Sequence, residues 1–168
     1  MKKNMRLLLA FAVVLVLCLA CAGALAEVVD GLTIEEKNGL VTMTAFDGST
    51  TEVVVPEGVE AIGDYAFDNK TLIISVTLPS TLQSIGQYAF YDCTLLETVI
   101  LPDGCTSIGE RAFANSTKLE EIIIPASVTE IAENAFEGCS GVKLIAPYGS
   151  TAQTFAQKTD GLSWEEGM

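Results

Sequence analysis

The chain has 168 residues, 49% of them hydrophobic, with 22 Asp or Glu against nine Lys or Arg and a formal net charge of −13. Such a chain lacks the positive face that a polyphosphate or an anionic membrane surface requires, which argues against nucleic acid and lipid headgroups as partners. It contains no His, which removes the commonest general base near neutral pH and the commonest metal ligand together.

Residues 1–26 read as a targeting segment. Lys2, Lys3 and Arg6 precede an apolar run from Leu7 to Ala20, of signal-peptide length and short for a membrane span. Ala24-Leu25-Ala26 places small residues where a signal peptidase reads, so cleavage is expected after Ala26. Cys21, behind Leu19 and Ala20, offers a competing lipid-attachment site, although Cys18 stands where a lipobox carries Leu. Free export is the preferred of the two readings. The remaining 142 residues carry six Lys or Arg against 22 Asp or Glu, a net of −16. That length suffices for one domain with its own core. No membrane span is expected in this mature chain, whose last stretch, "DGLSWEEGM", is short and polar.

The first mature segment, 27–50, holds "LTIEEKNGLVTMTAF", two alternating runs joined at Lys37-Asn38-Gly39. Asn-Gly between such runs predicts a hairpin, here an N-terminal cap.

From residue 51 to 148 the chain repeats itself every 23 residues. The phrase "IGDYAF" at 62 returns as "IGQYAF" at 85, "IGERAF" at 108 and "IAENAF" at 131. Four series advance together: Pro56, Pro79, Pro102 and Pro125; Ile62, Ile85, Ile108 and Ile131; Ala66, Ala89, Ala112 and Ala135; Phe67, Phe90, Phe113 and Phe136. Ahead of each Pro lie β-branched or aliphatic residues in alternation, as in "LETVILP" from Leu96, which predicts a short strand. Pro closes it, having no N–H for a ladder. The polar pair between the Ile-Gly and Ala-Phe elements fits a tight turn or a single helical turn. No coil of 23 residues can bury its own apolar side, but stacked coils can bury one another's, Ile on Ile and Phe on Phe, about 4.8 Å apart.

The pattern L-x-x-V/I-x-L/I-P, then x-x-I-G-x-x-A-F with Cys or a polar residue three positions after Phe, resembles the BspA-like class of bacterial leucine-rich repeat proteins over roughly 51–148. The resemblance implies a leucine-rich repeat solenoid, mainly β with short helical turns, in secreted or surface-displayed proteins associated with adhesion or protein binding. Ala132 departs from the Gly of the pattern, and Lys70 and Ser116 from its Cys. Pro147 falls where an inward aliphatic residue is expected. After it, "GSTAQTFAQKTDG" opens with cap-type Ser150 or Thr151, carries Ala152, Phe155 and Ala156 at helical spacing and stops at Gly161, predicting a helical cap within 149–168.

Three cysteines remain in the mature chain: Cys93, Cys105 and Cys139. Cys93 and Cys139 share a register two coils apart, about 10 Å, beyond the roughly 7 Å between Cα atoms that a disulfide tolerates. Cys105 falls in the inward column of Val59, Leu82 and Val128. All three read as small buried hydrophobes, and no metal, cofactor or catalytic residue is assigned. Neither calcium-loop pattern is present. The carboxylates sit at solvent positions of an unbroken repeat.

The strand face is the better candidate site. With Val99 and Leu101 inward, one outward column is Glu52, Ser75, Thr98, Glu121 and Leu144, the other Val54, Thr77, Ile100, Ile123 and Ala146. From these, Val54, Thr77, Thr98, Ile100, Glu121 and Ile123 are the expected contact residues, an apolar stripe bordered by acid. Tyr65, Tyr88 and Tyr91 form a smaller patch on the opposite turns. The expected function is an exported, non-enzymatic, monomeric binding or adhesion module for an extracellular protein or surface glycan. A hydrolytic accessory protein using paired carboxylates and a purely structural envelope component are the alternatives.

Overall fold

The computed structural model describes residues 26–167, so Cys21 and all of the expected export segment but Ala26 lie outside the described residues. Three strands open the chain: β1 (Ala26–Val29), β2 (Leu32–Lys37) and β3 (Leu40–Phe46), paired antiparallel in sequence. The β2–β3 hairpin turns on Asn38 and Gly39, both with positive φ (56° and 81°), the geometry of a turn whose twist matches that of its strands. Asp30 and Gly31 (φ 49° and 81°) make a second such turn between β1 and β2. Its Asp-Gly signal is as clear as the Asn-Gly one, and it adds a third strand to the two expected for the cap.

Each of the next four coils contributes two strands and the fifth one long strand. The segments before the prolines form β4 (Glu52–Val54), β6 (Ser75–Thr77), β8 (Thr98–Ile100), β10 (Glu121–Ile123) and β12 (Lys143–Ala146), which pair in parallel. The Ile of each repeat closes a two-residue strand: β5 (Ala61–Ile62), β7 (Ser84–Ile85), β9 (Ser107–Ile108) and β11 (Glu130–Ile131). These extend the cap hairpin into a second sheet, in the order β1-β2-β3-β5-β7-β9-β11. Short strands suffice because the interior strands pair with a coil on each side.

Between the second sheet and the next long strand the backbone turns continuously, with Ala66 N donating to Gly63 O, Asp68 N to Tyr65 O and Lys70 N to Phe67 O. Left-handed Tyr65 and Asn69 prevent these turns from continuing as a helix. Of the two conformations open for this segment, it is therefore the tight turn. The prolines also mark turns: the N–H groups of Val59, Leu82, Cys105 and Val128 donate to the Pro56, Pro79, Pro102 and Pro125 carbonyls.

The core runs down the middle as a column of six rings. Phe67, Phe90, Phe113 and Phe136 stack nearly parallel, with successive centroids 4.8, 5.2 and 5.4 Å apart. Phe46 closes one end at 5.6 Å and Phe155 the other at 6.0 Å, both tilted because the hairpin and the helix present them on differently oriented backbone. Met43 lies beside Ile62 in the β3–β5 register, so the cap carries a degenerate copy of the Ile and Phe positions. The column three residues after Phe is polar for a reason: Cys93 Sγ, Ser116 Oγ and Cys139 Sγ donate to the carbonyls of Phe67, Phe90 and Phe113 at 3.2, 2.8 and 2.9 Å. All three cysteines are free and buried.

At the carboxyl end, helix α1 (Thr151–Lys158) starts at Ser150, whose side chain accepts from Gln153 N, and ends at Thr159 rather than Gly161. Beyond it "SWEE" forms β13 (Ser163–Glu166), which pairs in parallel with β12 and completes a six-stranded sheet. Its polar composition hides it as a strand. The exception is Trp164, which is half-buried and donates from Nε1 to Ala146 O at 3.1 Å.

Candidate functional site

The outer face of the six-stranded sheet is built by alternation. Val53, Val76, Val99 and Ile122 point into the core, so their neighbours point to solvent. The ladder aligns Glu52 with Ser75 and Thr98, and Thr98 with Glu121. It aligns Val54 with Thr77, and Ile100 with Ile123. All six expected contact residues therefore lie on one face. Val54, Ile100 and Ile123 are 65%, 59% and 36% exposed.

The last member of each expected column is corrected. Glu121 pairs with Lys143 and Ile123 with Ile145, while Leu144 and Ala146 are buried. One residue is missing between Val142 and Leu144 relative to the earlier coils, so the 23-residue count overshoots by one. The same omission relocates Pro147. It does not replace an inward aliphatic residue, which is Ala146; it continues the proline series, and its carbonyl accepts from Ser150 N. Ile145 thereby prolongs the apolar stripe. Lys143 bridges Glu121 at 3.4 Å and Glu165 at 3.1 Å, and both carboxylates raise its pKa.

Leu72, Ile74 and Leu95 are also exposed, just before the strands. They lie outside the expected contact residues. Their signal is that later coils carry Lys118 at the register of Leu72 and Leu95, and Glu97 and Glu120 at that of Ile74.

Burial pushes the Cys93 thiol up to about 12 and Cys139 to about 11, opposite to the shift a nucleophile needs. Among the described residues no group of three or more His, Cys, Asp or Glu is placed to hold a metal ion. A surface depression of about 540 Å³ over the second sheet, lined by Ile85, Ile108, Thr129, Glu130 and Thr151 among others, offers one carboxylate, where glycoside hydrolysis uses two.

The tyrosines come together on the turns. Tyr65 and Tyr88 stack with centroids 4.9 Å apart, and Tyr88 meets Tyr91 at 5.3 Å. Arg111 lies 5.9 Å from the Tyr88 centroid and donates from Nη1 to the Tyr88 hydroxyl at 3.0 Å and from Nε to Glu137 at 2.7 Å. Asn115 Nδ2 donates to the Tyr91 hydroxyl.

Parallel coils that each turn on Pro and close on an Ala-Phe turn over a shared aromatic column define a leucine-rich repeat solenoid. The chain belongs to the family described as the BspA type leucine-rich repeat region, which matches six copies over residues 29–148. That span takes in the hairpin as well, consistent with Met43 and Phe46 standing in the Ile and Phe columns. A leucine-rich repeat protein from Bacteroides capillosus ATCC 29799 is 30% identical, with a TM-score of 0.64 over 71% of this chain and 97% of its own. One from Bacteroides ovatus ATCC 8483 is 25% identical, with a TM-score of 0.59 over 84% of this chain and 41% of its own. The pneumococcal vaccine antigen PcpA shares the fold at 18% identity and a TM-score of 0.58, over 85% of this chain and 48% of its own. The chain thus spans less than half the length of the last two. Among curated proteins none matches. Among the described residues no helix is long and apolar enough to cross a membrane.

Proposed function

We propose that this chain is an exported, non-enzymatic binding module that presents the outer face of its six-stranded sheet to an extracellular protein at the cell surface. The observation that carries the reading is the aliphatic ladder of exposed Val54, Ile100 and Ile123 and half-buried Ile145, on strands fixed by parallel pairing, β8, β10 and β12 on both sides and β4 on one. Thr77 and Thr98 lie among these residues, and Glu52 and Glu121 supply acid at the margin. Exposed aliphatic side chains on a rigid surface gain free energy only when another apolar surface covers them, which favours a protein over a glycan as the occupant. The amino-terminal residues and the family resemblance support export, with residues 1–26 removed as a signal peptide and one repeat domain from 27 to 168. Five coils give a modest area, so affinity is expected to rise when many copies are displayed together.

The test immobilises residues 27–168 and measures saturable binding across purified extracellular proteins and glycans. Ile100→Glu and Ile123→Glu should each abolish capture of the bound protein while leaving the thermal melt in place. Capture that both variants retain would overturn the assignment of this face.

A further inference from the structure

The six-stranded sheet ends in two edge strands, β13 and β4, and they are finished differently. On β13, Glu165 lies beside Ile145 on the outer face, and Glu166 lies beside Ala146, which points inward. Both glutamates are exposed. A strand arriving at that edge would meet charge on both faces, which keeps an edge free of partners. β4 has no such device. It belongs to the run Val53-Val54-Val55, with Val53 and Val55 buried and Val54 65% exposed. Its one charged residue, Glu52, is on the outer face.

The ladder shows which backbone groups of β4 are unused. Thr51 O accepts from Ile74 N and Ser75 N, and Val55 N donates to Thr77 O. Pairing alternates along a parallel strand, so residues 51, 53 and 55 face β6 and the peptide groups of Glu52 and Val54 face away from it. β4 pairs with β6 alone. Thr50 Oγ1 donates to Glu52 O at 3.0 Å, which leaves the second lone pair of that carbonyl. Two N–H and two C=O groups are thus directed at the open edge in strand alternation. The ligand that matches such a row is another extended backbone.

A folded second copy does not fit there. In the second sheet β3 lies beside β5, and β2 and β1 continue past the coil that holds β4. A copy docking through its own β4 would bring its matching three strands into that space. One docking through β13 would bring α1, which packs against β11 and β13. A single extended segment meets neither obstacle. We infer that the free edge of β4 takes up an extended segment of a partner protein as an added strand, with an aliphatic side chain beside Val54 and a Lys or Arg beside Glu52. Opposite charges on one face of neighbouring strands attract, and the mature chain has six Lys or Arg against 22 Asp or Glu. The inference rests on the reading of the chain as a binding module, and it concerns the sheet's edge and not its face.

The probe is the peptide acetyl-Ser-Val-Thr-Lys-Thr-Val-Ser-amide, whose Val on either side of Lys suits both strand directions. It is titrated into the nitrogen-15-labelled 27–168 chain, with amide shifts and amide hydrogen exchange followed by NMR. Saturable shifts are expected, and exchange of the Glu52 and Val54 amides should slow about tenfold while that of Val53 and Val55 stays as it was. Val54→Pro removes an edge N–H and none that faces β6, so the thermal melt should persist and affinity should fall about tenfold. Val54→Thr keeps that N–H and the branched side chain and should bind within about twofold of wild type. Ile123→Glu, on the sheet face, should have no effect. Absence of saturable binding, or binding that leaves Glu52 and Val54 exchange unchanged, would overturn the inference even if Val54→Pro failed to fold. Binding that Ile123→Glu removes and Val54→Pro retains would overturn it too, and would leave the sheet-face reading standing.

Discussion

The rings of Phe90 and Phe113 lie 5.2 Å apart and within 1° of parallel, although 23 residues separate them in the chain. That spacing is set by the ladder, since Phe90 N donates to Ala112 O at 2.7 Å and so holds the two turns in register. Each ring is fully buried, and its shape is repeated above and below. Phe113→Ala therefore removes contacts on both faces and leaves a gap that fixed backbone cannot close. The expected cost is about 3–5 kcal/mol, read from urea denaturation, and Phe46→Ala at the end of the column should cost less because a single neighbour loses its contact.

The glycine of the turn phrase is equally constrained. A Cβ added at Gly109 would lie 2.6 Å from the Gly86 carbonyl carbon and 2.7 Å from Gln87 N, both backbone atoms without freedom to move aside. Gly109→Ala should destabilise the chain by about 1–3 kcal/mol. The same change at Gly141, where nothing lies within 4 Å, meets no such neighbour, and its cost comes only from the positive φ there. Paired thermal melts separate the two effects.

Alkaline conditions should loosen the stack. Burial raises the Cys93 thiol from 9.0 to about 12 and Cys139 to about 11. Because the folded value lies above the unfolded one, the stability linked to each thiol is intact below about pH 9 and is lost as pH rises through the folded value. Ser116 shows that a hydroxyl fits this register and donates to the same kind of carbonyl. The Cys93→Ser, Cys139→Ser double variant should accordingly fold, and should lose less stability than wild type between about pH 9 and about pH 11. Equal losses in urea midpoint would contradict the assignment.

The register change after Val142 has a direct test. Ile145 is on the outer face and Leu144 is buried against the core, the reverse of what a constant 23-residue spacing gives. Ile145→Glu should shift stability by no more than about 0.5 kcal/mol, whereas Leu144→Glu buries an unpaired charge and should prevent folding. Circular dichroism of the two variants decides between the registers.

The sheet face was largely legible in the sequence because inward and outward positions alternate within one strand, and a strict repeat copies that alternation from coil to coil. Val54, Thr77, Thr98, Ile100, Glu121 and Ile123 follow from counting alone. Lys143 and Ile145 do not, because a one-residue omission flips both faces of a strand and the local composition of "VKLIAP" does not show where it falls. The Arg111 cluster was less legible still: its parts come from Tyr88, Arg111 and Glu137 on three coils, and nothing in any one of them indicates that a guanidinium lies on a ring.

The sequence by itself determined the period of the coil, the hairpin at Asn38-Gly39, a capping helix that starts at Ser150 or Thr151, and the columns as far as Ile123, since these depend on local pattern and a constant period. Tertiary structure alone decided which strands the two ends add, where the register slips, and which exposed side chains meet across coils. Those outcomes depend on the alignment of one coil against the next, an energy shared between backbones far apart in sequence. The polar segment "SWEE" shows the difference: β12 leaves its edge open, and pairing with that edge makes this segment a strand.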